Sequence, residues 1–154
     1  MRLVRILAIL AVAMAVTLTL TATASAATCL GFGYLVTSDG TIQRFSTSTN
    51  AVTTTVAVPG ANFVDVAVSP TGRTLYAVDS DGNTIRVFDA TTGLATATIS
   101  GFSAPTAIAL SPDAKRAYVA NQTARTVTVV DTTTNTIVTT YSVSSGSAPT
   151  DLVV

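Results

Sequence analysis

Ala104-Pro105-Thr106-Ala107-Ile108-Ala109-Leu110-Ser111-Pro112-Asp113-Ala114-Lys115-Arg116-Ala117-Tyr118-Val119-Ala120-Asn121 decides the fold, because an earlier stretch has the same pattern. That stretch is Val64-Asp65-Val66-Ala67-Val68-Ser69-Pro70-Thr71-Gly72-Arg73-Thr74-Leu75-Tyr76-Ala77-Val78-Asp79, and the two Ser-Pro pairs lie 42 residues apart. Tyr34, Tyr76 and Tyr118 are spaced by 42, and so are Asp89 and Asp131. Several independent markers at one spacing identify an internal repeat.

Each repeat reads as strands. Thr106 to Leu110 is an apolar run closed by the turn tripeptide Ser111-Pro112-Asp113, and Arg116 to Ala120 is a second. Arg125 to Val130 alternates polar and apolar residues, and Thr136 to Val143 follows the turn Asp131-Thr132-Thr133-Thr134-Asn135. Four short strands in about 42 residues match a propeller blade. No sustained 3.6-residue apolar period competes. The expected fold is all-β, about three four-stranded β-propeller blades, as a partial propeller or half of an oligomeric ring. The repeat domain spans 27–154, with repeats near 30–69, 74–110 and 116–154.

Tyr118-Val119-Ala120-Asn121, followed by Val129-Val130-Asp131-Thr132-Thr133-Thr134-Asn135, resembles the YVTN repeat of YncE-like and surface-layer-type β-propellers, a WD40-like architecture. Tyr76-Ala77-Val78-Asp79 and Tyr34-Leu35-Val36-Thr37 are weaker versions. The resemblance implies the fold and says little of activity, although related propellers include lactonases and glycan lyases.

The strand phase raises a question of closure. With the blade strands lettered A to D from the inside outward, Leu30 to Val36 aligns with a B strand through Tyr34. Thr150 to Val154 aligns with an A strand, because Ala148-Pro149-Thr150 repeats Ala104-Pro105-Thr106. The chain therefore reads B-C-D, A-B-C-D twice, then A. Closed propellers have 4 to 8 blades, so three cannot close alone. Either two chains share a six-bladed ring, or the sequence is a truncated member of a larger, usually seven-bladed family; the stop at Val153-Val154 in mid-strand favours truncation slightly.

Arg2 and Arg5, the apolar run Ile6 to Val16 and Ala24-Ser25-Ala26 have the order of a signal peptide over 1–26, with cleavage before Ala27. The expected location is secreted or extracytoplasmic, periplasm or cell surface. Thr17, Thr19, Thr21 and Thr23 dilute the run below the roughly 20 apolar residues of a membrane span. Removing the leader leaves six basic side chains against eight acidic ones, all Asp, a net charge of −2. Nucleic acid is thus not an expected partner. Cys29 is the only cysteine, and Ala26-Ala27-Thr28 before it does not fit a lipobox, so a free or intermolecularly paired thiol is expected.

Chemistry is bounded by what is missing. The sequence contains no histidine, which removes a Ser-His-Asp triad, a His-assisted cysteine and histidine metal ligation. No cofactor is expected. In propellers the D–A and B–C loops share the face where ligands usually bind. The repeat places Asn62, Asp65, Asp79, Asp81, Asn83, Asn121, Arg125 and Asp151 there. These residues could bind a polar ligand, or could simply end strands and make turns. Asp79-Ser80-Asp81-Gly82-Asn83 has the oxygen spacing that opens a calcium loop, but Ala90 stands where an EF-hand has Glu, so a B–C turn is the expectation. Asn121-Gln122-Thr123 is a glycosylation sequon in form. The leading expectation is a non-enzymatic binding or scaffold module for a protein, glycan or envelope component, or one that self-associates to complete its ring. The alternative is a sugar- or lactone-acting hydrolase or lyase using Asp65 and Asp151.

Overall fold

The computed structural model describes residues 31–143 and 148–154. The expected leader and Cys29 lie outside the described residues.

Eleven strands and no helix make up the described residues. The first sheet holds β1 (Phe32–Val36), β2 (Thr41–Ser46) and β3 (Val52–Ala57). The second holds β4 (Phe63–Val68), β5 (Thr74–Asp79), β6 (Thr84–Asp89) and β7 (Ala95–Ser100). The third holds β8 (Pro105–Leu110), β9 (Arg116–Asn121), β10 (Thr126–Asp131) and β11 (Thr136–Ser142). All neighbours are antiparallel in sequence order, the meander of a propeller blade. β-Branched residues dominate these strands because they fit a pleated surface. Left-handed residues at Gly40, Asn83 and Arg125 (φ 80, 53 and 55) close the three B–C turns.

Cores form between sheets. Tyr76, Val78, Ile85 and Val87 of the second sheet pack on Ile108, Ala117, Val119 and Val130 of the third. Period-2 alternation makes this possible, since Tyr76 pairs with Val87 and Val78 with Ile85 on one face. Between the first and second sheets, Ile42 and Val56 meet Leu75, Ala77 and Phe88. Phe63 and Phe88 sit edge to face at 6.3 Å there, an arrangement that adds about 0.5–1.5 kcal/mol beyond area burial. Each fully buried Val or Ile contributes about 1.5–3 kcal/mol.

Two features differ from the sequence expectation. Thr150 to Val154, expected as an A strand, pairs with no strand among the described residues. Both complete inner strands also carry a bulge, between Phe63 and Asp65 and between Pro105 and Ala107. The bulge re-aims the residue after it, as bulges do.

Candidate functional site

Antiparallel pairing sets the end of each B strand beside the start of its A and C strands. Asp79 pairs with both Phe63 and Thr84, and Thr84 with Ser100, so the D–A and B–C loops share one rim. The polar residues expected at a ligand mouth are on this rim, but they do different work.

Asp79 is buried at 1 % exposure. Its Oδ1 accepts hydrogen bonds from Asn62 N (3.2 Å) and Gly82 N (3.0 Å), and its Oδ2 faces Arg86 at 3.3 Å. The carboxylate ties the D–A loop to the B–C turn while Arg86 balances its charge. A Cβ on Gly82 would sit 2.6 Å from Asp79 Oδ2, so any larger residue there would force the carboxylate or the turn to shift. Asn121 occupies the same place in the third sheet, also at 1 % exposure. Its Oδ1 accepts from Ser103 N at 3.2 Å and its Nδ2 donates to Thr128 Oγ1 at 2.9 Å. Burial in this network keeps the Asn121 side chain from solvent, so the sequon is not presented for modification.

Asn83 Oδ1 accepts from Ala104 N at 2.7 Å, linking the second blade's turn to the loop entering the third. Asn62 Nδ2 donates to Asp81 Oδ1 at 3.1 Å, with Asp81 itself exposed. Arg125 is exposed at its left-handed position.

Asp65 is a clamp between blades. Its Oδ1 accepts from Val66 N at 2.7 Å and its Oδ2 from Ile108 N, on the neighbouring inner strand, at 2.8 Å. Burial pushes its carboxyl above the ordinary value; the two backbone hydrogen bonds oppose this, and the charge of Asp151 adds to it. The fold thus brings Asp65 and Asp151 within electrostatic reach. Asp151 Oδ1 accepts from Leu152 N at 2.8 Å and the residue is exposed.

On the opposite rim the aspartates close turns. Asp89 accepts from Thr92 N and Thr91 N, Asp113 from Ser111 Oγ and Lys115 N, and Asp131, beside Arg116, from Thr133 N. These bonds hold all three carboxyls below the ordinary value.

A cavity of about 20 Å³ lies between the first two sheets, lined by Tyr34, Ile42, Arg44, Phe88 and Ala90. That is room for one water, far below a small-molecule pocket of about 300 Å³ or more. Arg44 stacks 3.8 Å over Phe32 and donates to Ala90 O at 3.3 Å. Among the described residues no group of three His, Cys, Asp or Glu side chains is arranged to hold a metal ion.

The position of these residues follows from strand phase, whereas their partners do not. Asp65's second oxygen meets a backbone N–H, which leaves no side-chain signal. The Asp79–Arg86 pair was legible in principle, because Asn121 and Thr128 stand at the same two repeat positions.

The family model described as Lactonase, 7-bladed beta-propeller, matches residues 34–154. No curated protein matches the chain. Among solved structures, Kuenenia stuttgartiensis hydrazine synthase is similar at 26% identity and a TM-score of 0.71, over 79% of this chain and 35% of that one. U3-55K (17% identity, TM-score 0.69) and the RRP9 WD40 repeats (19%, 0.68) each align over 76% of this chain and 37% of theirs. These last two show likeness of fold alone. The chain spans little more than a third of the length of the structures it matches.

Proposed function

The chain belongs to the seven-bladed β-propeller lactonase family, and from that premise we propose that it is an exported, non-enzymatic binding module for a component of the cell envelope. Its repeats are of the YVTN, YncE-like type, a reading supported by Tyr118-Val119-Ala120-Asn121 and Tyr76-Ala77-Val78-Asp79. The contact surface is the first rim, through the exposed Asp81, Arg125 and Asp151 and the loop backbone around them.

One observation carries this reading. Both oxygens of Asp65 are occupied by backbone N–H groups, so the best-placed carboxylate is committed to holding blades together. A general acid or base needs a proton-transfer position within hydrogen-bond reach of substrate. Asp79 and Asn121 are likewise consumed by the fold.

The test is co-sedimentation of the protein with intact cell envelopes and with protease-stripped cell-wall sacculi, alongside hydrolysis assays on simple lactones. Binding to sacculi identifies a glycan, and binding to intact envelopes alone identifies a protein. Combined Asp81→Ala, Arg125→Ala and Asp151→Ala substitution is expected to abolish sedimentation. A sugar- or lactone-acting hydrolase is the second reading, favoured by the raised Asp65 carboxyl near Asp151. Lactone turnover that disappears in Asp65→Asn, with the fold intact, establishes that reading instead. Export predicts a mature protein beginning at Ala27, read by N-terminal sequencing.

A further inference from the structure

Arg44 departs from the repeat. It pairs with Tyr34 in the first sheet, where Val87 pairs with Tyr76 in the second and Val129 with Tyr118 in the third. Val87 and Val129 are 2 % and 6 % exposed, and Val87 packs in the core between its sheet and the next. The first sheet therefore places a guanidinium at a core position that the other two fill with an isopropyl group. Local rules are broken in this way where a site needs the exception.

The guanidinium is only partly satisfied. Its Cζ lies 3.8 Å over the Phe32 ring, and Nη1 donates to Ala90 O at 3.3 Å. Nε is shielded from solvent and has no hydrogen-bond partner. Ala90 O also takes the Tyr34 hydroxyl at 3.2 Å, so both its lone pairs are occupied. Among the described residues no carboxylate lies within ion-pair distance of Arg44, whereas Arg86 and Arg116 each have one. A shielded charge without a counter-charge is costly.

The cavity of about 20 Å³ lies beside this group, between Tyr34, Arg44 and Thr54 on one side and Leu75 and Phe88 on the other. Its size suits a single ligand no larger than a water or a halide ion. The Thr54 hydroxyl is a second possible donor. Asp89 is also in the wall. Its carboxylate already accepts from Thr92 N and Thr91 N and is met by the charge of Arg73, whose carbonyl accepts from Ala90 N at 2.8 Å. Arg44, Arg73 and Asp89 thus leave one positive charge in excess. The walls come from β1, β2 and β3 facing β5, β6 and the turn after it, so neither the inner edge of β1 nor an end face is part of the site.

We propose that this pocket binds one small monovalent inorganic anion of the size of chloride, with Arg44 Nε as its main donor. A charged acceptor makes the stronger hydrogen bond to a guanidinium and cancels the excess charge, which water does not. The ligand touches both walls, so binding it fastens the first sheet to the second and stabilises the fold by mass action. The site is on the rim away from Asp81, Arg125 and Asp151 and is independent of what those residues bind.

Crystals of the full chain grown in sodium bromide, measured at the bromine absorption edge, test this directly. The expected result is an anomalous peak in contact with Arg44 Nε, between β2 and β6. Water density there without an anomalous signal overturns the proposal. In solution, the unfolding midpoint is expected to be higher in sodium chloride or bromide than in sodium gluconate at equal ionic strength, which holds general screening constant. Arg44→Val, which installs the residue of the other two sheets, and Arg44→Met, which keeps the stem, are each expected to remove that difference. A halide dependence that survives both overturns the site. So does a parent midpoint equal in all three salts, which would make any bromide peak an adventitious ion only. If neither variant folds, the bromide crystal and the parent midpoints still decide.

Discussion

At the rim of the second sheet Asp79 faces Arg86, whereas at the rim of the third Asn121 faces Thr128 in the same two positions. Both arrangements bury the acceptor at 1 % exposure and both tie a D–A loop to a B strand. One does it with a charge pair and the other with neutral amide and hydroxyl groups. The glycine follows the chemistry: Gly82 makes room for the carboxylate, and Ala124 stands in its place where the amide is used. What the blade requires here is a matched acceptor and partner, whichever form they take. A mismatched combination leaves a buried charge alone, and that is the costly state.

The largest effect is expected from Asn121→Asp, which buries a carboxylate beside a hydroxyl with no cation to meet it. We expect a loss of about 3 kcal/mol at neutral pH, measured by urea unfolding. The new carboxyl has a raised folded pKa, so the folded state binds its proton more tightly. Stability should recover as pH falls and worsen as pH rises through that value. A variant as stable as the parent at pH 7 would break the equivalence of the two hubs.

Arg86→Thr is the reciprocal mismatch, leaving Asp79 buried without its partner. Its cost should be about 2 kcal/mol, under the full buried-pair figure because Arg86 is 34 % exposed and already screened by water. Installing the third blade's solution whole, with Asp79→Asn and Arg86→Thr together, should return stability to within about 1 kcal/mol of the parent. A double-mutant cycle reads the coupling directly. Additive losses would show that the hubs are not interchangeable.

The two rims differ in acid as well. On the far rim the hydrogen-bonded Asp89, Asp113 and Asp131 have depressed carboxyl pKa values. Their contribution is present above the ordinary carboxylate value of about 4 and is lost as pH falls through the folded values. Asp65 has the opposite sign: its raised pKa favours the fold when protonated. Unfolding midpoints should therefore fall on acidification below about pH 4, and less steeply in Asp113→Asn. A midpoint that rises steadily with acid would place control with Asp65 instead.

The smallest effect concerns the turn beside each hub. Gly40 and Asn83 suit a left-handed backbone, whereas Arg125 at φ 55 does not. Arg125→Gly should gain about 0.5 kcal/mol while weakening envelope sedimentation. A gain in stability with sedimentation unchanged would remove Arg125 from the contact surface.

Legibility in the sequence divided along the same line. The blade was readable because its markers are local: Ser-Pro turns, tyrosines at one spacing and β-branched alternation all act through near neighbours. The rim was readable as a place, since strand phase alone puts Asp65, Asp81, Arg125 and Asp151 on one end. Their roles were not readable. Asp65 acts on Ile108 N, 43 residues away, and a backbone N–H looks the same in every sequence. Asn121 stood in a loop-like motif, and only the Ser103 and Thr128 contacts show that it is interior.

The sequence by itself determined the repeat, the four-stranded blade and the order B-C-D, A-B-C-D, A-B-C-D, because each follows from short-range periodicity and turn chemistry. Only the tertiary structure decided which polar side chains are spent on the fold and which face solvent. It also decided that the Ala148–Val154 segment lies beside β8 without a ladder. The physical reason is that burial and pairing depend on what another blade brings up against a residue, and a strand's own pattern does not encode its neighbour.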